Sequence, residues 1–189
     1  LEAEGRINDL INGRAAGALK TANLSLNNIG FSHSAYKKRF SGFSGIASIK
    51  GNSIFFKGIT GSYGNVKADA LNGVITDFTG AALSDLAIKT RFDLSGAHGL
   101  VEDFSAKKDV SGRAGDGLKK ISASGPAVLL LNIKGPLKGP VGPDYSGVLS
   151  IKNAAIKHPA ALLRLEAATG DIEFNRKKIS IKGLSGVAG

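Results

Sequence analysis

The chain has 189 residues, a formal net charge of +10, and no cysteine, methionine or tryptophan. The absence of cysteine excludes disulfides and thiolate catalysis and disfavours most zinc sites. Because lysines are spread along the chain and aromatic residues make up only 6% of it, the basic charge indicates a solvated sheet face and not a nucleic-acid surface.

The predicted elements, in chain order, are mostly short strands separated by glycine-rich turns. Residues 1–16 predict a short helix, weakened by two glycines. From Leu24 onward, apolar and polar residues alternate with a period of two, as in strands with one apolar and one polar face. Residues 135–143 contain three Gly-Pro pairs and predict a stiff connector. Residues 159–168 predict a second short helix, which begins at a proline.

The alternation predicts an all-β fold, with at most one or two short helices. We expect a long antiparallel sheet, twisted and curved, whose inner face is apolar and forms a groove. Two facing sheets of a closed sandwich would give the same alternation, so both arrangements stay open here. By parity, twelve residues should point to the apolar side and line the groove for an apolar ligand: Leu24, Leu26, Leu86, Ile88, Phe92, Leu94, Leu149, Ile151, Ile172, Phe174, Ile179 and Ile181.

An internal repeat divides the chain. Residues 24–64 align with residues 149–189 at an offset of 125 without a gap, and twelve of the 41 positions are identical. The identities include four glycines, and we expect Gly58 and Gly183 to lie at equivalent bends. We interpret residues 1–189 as a single β-sheet module. Because it has no initiator methionine and no apolar signal segment, we expect it to be a piece of a longer protein.

No pattern for catalysis or metal binding emerges from the sequence. The three histidines, His33, His98 and His158, are far apart in the chain and do not have the spacing of a zinc site. Residues 109–117 (DVSGRAGDG) lack the acidic spacing of an EF-hand and the Gly-Lys-Ser/Thr ending of a P-loop. We therefore predict that the protein is not an enzyme, with no catalytic residues, no cofactor and no metal.

Several segments in the second half of the chain carry a family resemblance. They are Val128–Pro136, Gly147–Asn153, Ile156–Pro159, Gly170–Phe174 and Lys178–Gly186. Together they resemble the C-terminal region of AsmA-like proteins, the group that includes TamB. The resemblance covers residues 118–189 best, residues 17–64 less well and residues 96–117 poorly.

The resemblance implies a long β-sheet folded around an apolar groove in the periplasm of a Gram-negative envelope. It implies an anchor at the inner membrane, through a segment absent from this chain. The expected partner is a phospholipid or another apolar ligand, passed between the inner and outer membranes, with envelope membrane proteins as further partners and no nucleic acid. Two alternatives stay open. One is an envelope scaffold that assists outer-membrane protein assembly without holding lipid, and the other is a β-solenoid or adhesin segment, which should show a shorter repeat.

Overall fold

The computed structural model describes residues 21–32, 37–96, 122–158 and 163–189. Within these ranges lie ten strands and one 3-10 turn, Leu94–Gly96. The strands are β1 Thr21–Phe31, β2 Phe40–Lys50, β3 Ser53–Tyr63, β4 Val66–Thr76, β5 Leu83–Asp93, β6 Ser122–Ser124, β7 Pro126–Pro136, β8 Asp144–His158, β9 Leu163–Asn175 and β10 Ile179–Ala188.

All ten strands belong to one antiparallel sheet that is not closed. Its order is β1-β2-β3-β4-β5-β7-β8-β9-β10, and β6 pairs with the end of the long strand β8. The described part of the chain is 78% strand and contains no α-helix, which confirms the predicted all-β antiparallel fold. Strands β5 and β7 are paired residue by residue from Leu83–Pro136 to Asp93–Pro126 and join the two halves of the sheet.

The helix predicted over residues 159–168 is wrong for residues 163–168, which form the start of β9. Residues 159–162, and the helix predicted over residues 1–16, lie outside the described residues. In β9, Leu165 lies opposite Ile156 of β8 and Ala168 lies opposite Ala154. Pairing with strands on both sides satisfies the backbone of β9. That pairing outweighs helix preferences of a few tenths of a kcal/mol per residue.

The predicted repeat is visible in the pairing register of the sheet. Adding 125 to each of the eight residue pairs between β1 and β2 gives a pair between β8 and β9. The same shift turns seven of the eight pairs between β2 and β3 into pairs between β9 and β10. The three-strand unit β1-β2-β3 therefore occurs again, strand for strand, as β8-β9-β10.

The two units also share their irregularities. A register shift between Leu26 and Ile29 recurs between Ile151 and Ala154, and at these bulges Asn28 and Asn153 both have φ of 52°. The N–H of Asn28 donates to Ser44 Oγ at 3.0 Å, and that of Asn153 donates to Thr169 Oγ1 at 3.3 Å. Asparagine is among the few residues that tolerate the left-handed region. Bulges bend and twist the strand that carries them, so both units bend at the same place.

A further pair of bulges lies at Gly58 in β3 and Gly183 in β10, which have φ of 59° and 57°. A Cβ at either position would meet no atom within 4 Å. The requirement for glycine is therefore conformational and not steric. The two glycines occupy equivalent bends of the two units.

In both units, apolar side chains pack together at one end of the strands. In the first unit four aromatic rings pack together, with the Phe31 and Phe40 centroids 4.8 Å apart and those of Phe40 and Tyr63 4.7 Å apart. Phe43 is the fourth ring. At the corresponding end of the second unit, Ile151, Ala154 and Ala168 form a buried aliphatic cluster with Ala127 of β7 and Leu94 of the 3-10 turn. These clusters pack the ends of the strands, and the side chains in the middle of the strands do not belong to them.

A difference between the two units generates a stability prediction. Gly42 and Ala167 occupy equivalent positions with φ of 66° and 51°. Because an L-residue other than glycine costs roughly 1–2 kcal/mol there, Ala167→Gly should raise the free energy of unfolding by about 0.5–1 kcal/mol, and Gly42→Ala should lower it by about 1 kcal/mol. Urea unfolding monitored by circular dichroism measures both changes.

The matched control is Ala155→Gly in β8, where φ is not positive. It should lower the free energy of unfolding by about 0.5–1 kcal/mol, since glycine weakens an ordinary strand position. If Ala167→Gly destabilises the protein as Ala155→Gly does, the left-handed strain at Ala167 is not significant.

Candidate functional site

Residues that lie opposite one another in an antiparallel pair point to the same side of the sheet, so the register defines an apolar face. One row runs across six strands from Leu24 through Ala47, Phe56, Gly73 and Leu86 to Ile133. A second row runs from Ile59 through Leu71, Ile88, Leu131, Gly147 and Phe174 to Ile179. A third joins Leu129, Leu149, Ile172 and Ile181.

The twelve residues predicted by parity lie on this face. Eleven are in strands and follow the rows or their parity, and Leu94 lies in the 3-10 turn that continues β5. Leu94 and Ile151 are buried, at 9% and 3% exposure. Ile179 and Ile181, on the last strand, are 65% and 61% exposed. The remaining eight are partly exposed, which distinguishes the middle of this face from a closed core.

Within the described ranges, the strands form one sheet, and no second sheet or α-helix packs on the apolar face. The described part is thus not a sandwich of two facing sheets. Leu94 and Ile151 are buried because they belong to the aliphatic cluster at one end of the sheet. Phe92 and Leu149 pack against the same cluster and remain partly exposed, and the other eight residues present apolar surface outside it.

The sequence patterns missed part of this face. Leu71, Leu129, Leu131 and Ile133 lie in the rows but were not among the twelve. In β7 the run AVLLLNI is apolar at nearly every position, so parity is ambiguous until the register with β5 is known. In β4 the register shift between Ala68 and Ala70 breaks the alternation that would have identified Leu71.

Five positions on the apolar face are glycines, which have no side chain to project from the sheet. Each lies opposite a residue with a larger side chain, and they are Gly45, Gly73, Gly135, Gly147 and Gly170. A Cβ at Gly147 would lie 2.7 Å from Cζ of Phe174, so the aromatic ring rests directly over the glycine backbone. Such pairs place large side chains beside positions that have none. The signal was present in the sequence, because these glycines have the parity of the apolar residues.

The opposite face is polar and partly neutralised by ion pairs. Arg91 binds Asp69 through two nitrogens, with Nε at 2.7 Å and Nη2 at 2.8 Å. The hydrogen bonding to Asp69 and the negative charge of its carboxylate raise the pKa of Arg91 above its ordinary value. Other pairs across strands are Lys134–Asp85 at 3.3 Å and Lys182–Glu173 at 2.8 Å. Exposed pairs of this kind are screened by solvent and contribute little to stability.

Three depressions of about 750, 580 and 410 Å³ also lie on the polar side. Half of the residues that line the largest are basic or carry a hydroxyl group: Lys67, Lys89, Arg91, Thr60 and Ser62. The depressions therefore combine charged and hydrogen-bonding groups with apolar atoms, whereas the three rows of the apolar face carry no charge.

Among the described residues, no group of three or more His, Cys, Asp or Glu side chains is placed to hold a metal ion. No helix in that part of the chain is long and apolar enough to cross a membrane. His33, His98 and residues 109–117 lie outside the described residues, and His158 ends β8.

No family model matches the chain, and no curated protein or solved structure matches it either.

The carboxylate of Asp93 stabilises the 3-10 turn Leu94–Gly96, and this turn places Leu94 in the aliphatic cluster. Asp93 Oδ1 accepts hydrogen bonds from Ser95 Oγ at 2.6 Å and from Ser95 N at 2.9 Å. Its Oδ2 accepts one from Gly125 N at 3.2 Å, where β6 meets β7. These bonds, led by that of the Ser95 hydroxyl and followed by that of its backbone N–H, lower the pKa of Asp93 below its ordinary value.

A depressed pKa gives a prediction with a definite sign. The ionised carboxylate contributes stability above the unfolded-state pKa, and that contribution is lost as the pH falls through the folded-state pKa. Carbon-13 NMR titration should find Asp93 below its ordinary value, and Ser95→Ala should raise the pKa of Asp93 towards it. Ser180→Ala on β10 is the control and should leave that pKa unchanged. An ordinary pKa for Asp93 in the unaltered protein would show that these hydrogen bonds do not persist in solution.

Proposed function

We propose that the apolar face binds the acyl chains of phospholipids, and that this chain is a segment of a groove that passes them between the inner and outer membranes. The proposal places the chain in the periplasm, anchored at the inner membrane through a segment outside this sequence. The observation that supports it best is a row of apolar side chains across the sheet, most of them only half-buried.

An apolar face that crosses several strands and is partly exposed favours a bound occupant. Soluble proteins rarely leave contiguous apolar patches larger than a few hundred Å² in contact with water, since each Å² costs about 25 cal/mol. Nine strands spaced about 4.8 Å apart give a path of about 40 Å across the sheet. That length is comparable to the ~30 Å hydrocarbon thickness of a bilayer.

The rows also offer a path without charged side chains. The polar side chains beside the rows on the same face include Ser84, Thr90 and Tyr145, which lie opposite Ile75, Leu129 and Ile133. The Ser84 hydroxyl donates to the backbone oxygen of Gly135 at 2.8 Å, so it is already satisfied. An acyl chain that moves from strand to strand would therefore not have to pass a charge, which would be costly to desolvate beside hydrocarbon.

The test uses two neighbouring residues of β5 that point to opposite faces. Ile88 is partly exposed on the apolar face between Leu71 and Leu131, and Ala87 is exposed on the polar face between Asn72 and Asn132. Ile88→Asp should leave the protein folded and weaken phospholipid binding at least tenfold, because an acyl chain would have to desolvate the carboxylate. Ala87→Asp should leave binding unchanged. Titration with a fluorescent phospholipid, with native mass spectrometry for co-purified lipid, measures both.

A third variant separates binding from folding. Ile151 is 3% exposed within the aliphatic cluster, so Ile151→Asp would place an uncompensated charge in packed surroundings and should unfold the protein. If Ile88→Asp unfolds the protein as well, the face is an ordinary core. If the unaltered protein binds no phospholipid, or if Ile88→Asp and Ala87→Asp bind it equally, the apolar face does not bind acyl chains and the scaffold hypothesis is favoured.

A further inference from the structure

Positive charge is compensated differently on the polar faces of the two units. In the second unit, Lys182 of β10 binds the carboxylate of Glu173 in β9 at 2.8 Å. At the offset of 125, the counterparts of these two residues are Lys57 and Ser48. The first unit therefore keeps the lysine and lacks the carboxylate that neutralises it.

Three cations line the largest depression of the polar face, which has a volume of about 750 Å³. They are Lys67 of β4 and Lys89 and Arg91 of β5. Lys67 lies directly opposite Arg91 in the register of the two strands. Like charges that lie directly opposite each other in an antiparallel pair destabilise a sheet. This pair of cations therefore favours a negative charge beside it.

The negative charge that the chain itself supplies is already bound to Arg91. Asp69 is the only acidic residue among the described residues that line the depression. Its Oδ2 lies 2.7 Å from Nε of Arg91 and its Oδ1 lies 2.8 Å from Nη2, so both carboxylate oxygens are used. Within the described part of the chain, neither Lys67 nor Lys89 forms an ion pair. The two lysines are thus the uncompensated charges of the depression.

The neighbouring side chains add hydrogen-bonding groups without adding negative charge. Lys67 lies between Ser62 of β3 and Arg91 of β5, and Thr60 lines the same depression. Lys89 precedes Arg91 by two residues on β5, so both side chains point to the polar face. An anion in the depression would therefore meet ammonium, guanidinium and hydroxyl groups.

We propose that this depression binds a phosphate group, and that Lys67 and Lys89 pair with its oxygens beside the guanidinium of Arg91. Three cations and one carboxylate leave a formal charge of +2. This charge matches a phosphate monoester, which carries about −1.5 to −2 at neutral pH. Lysine and arginine are the side chains that proteins use most to bind phosphate oxygens.

Two sources carry this chemistry, soluble phosphate esters and the phosphate headgroups of a membrane surface. The volume of the depression falls within the roughly 300–1,000 Å³ of small-molecule sites, so there is space for the group that bears the phosphate. The depression lies on the polar face. The inference is therefore independent of acyl-chain binding on the apolar face.

The first probe is inorganic phosphate, titrated at neutral pH and constant ionic strength against chloride, with NMR detection of the amides of β4 and β5. Lys67→Gln and Lys89→Gln should each weaken phosphate binding about fivefold, since each removes one charge-assisted hydrogen bond. Both lysines are exposed, so we expect the variants to remain folded, which circular dichroism verifies.

The matched control is Lys57→Gln in β3, which removes the same charge from the same face. Lys57 follows Phe56 of the apolar row, so its exposed side chain lies on the polar face, and it does not line the depression. Its loss should weaken phosphate binding less than about twofold, because salt screens exposed charges outside the site.

The second probe distinguishes the two sources: vesicles of phosphatidylcholine with added phosphatidic acid, compared with vesicles of phosphatidylcholine alone. Binding of free phosphate that depends on Lys67 and Lys89 supports the proposal with a soluble ester as the ligand. Binding only to vesicles that contain phosphatidic acid, with the same dependence, supports it with a headgroup as the ligand.

The proposal is overturned if neither probe binds, or if Lys67→Gln and Lys89→Gln bind as tightly as the unaltered protein. It is also overturned if Lys57→Gln weakens binding as much as Lys89→Gln. In that case the attraction comes from the basic face as a whole, and the lysines only keep that face solvated. Acyl-chain binding is tested separately through Ile88, so either proposal can fail without the other.

Discussion

The unbroken pairing between β5 and β7 is the constraint on which the rest of the sheet depends. It runs from Leu83–Pro136 to Asp93–Pro126 without a bulge, and it joins strands separated by a long stretch of sequence. The bulges of the molecule lie on either side of this regular centre, in β1 to β4 and in β8 to β10. The centre therefore fixes a common face for two units that could otherwise pack independently.

The alternating pattern was sufficient to predict an all-β antiparallel fold and the common face of eleven strand residues, because the period of two is a local property. It failed where the pairing partner, and not the local sequence, determines the secondary structure or the face of a residue. Residues 163–168 have helix-forming side chains, yet β8 and β10 hydrogen-bond that segment into β9. Leu131 could not be assigned to a face, because its neighbours are apolar too. The shift between Ala68 and Ala70 depends on the partner strand, so no pattern within β4 revealed the face of Leu71.

The two units keep their backbone irregularities more strictly than their side chains. Asn28 and Asn153 share a φ of 52°, and the Gly58 and Gly183 values differ by two degrees. At the end of the sheet, by contrast, the aromatic ring of Phe31 corresponds to Ile156, and that of Phe40 to Leu165. A packed cluster can be built from different side chains of suitable volume. A bulge must be kept, because loss of its extra residue would shift the register by one and turn every later side chain of that strand to the other face.

A single open sheet leaves two surfaces uncovered, its apolar face and its edge, and the two are complementary to different chemical groups. Its apolar face exposes aliphatic and aromatic side chains, which make no hydrogen bonds and gain free energy from apolar contact. Its edge carries backbone N–H and C=O groups and needs a partner that supplies both hydrogen bonds and matching side chains. In a closed sandwich, a second sheet would cover the face at the cost of leaving no space for a ligand. In the described part of this chain the face is uncovered and the edge at β10 is free. An apolar ligand is therefore complementary to the face and not to the edge, which only a backbone with matching N–H and C=O groups can pair.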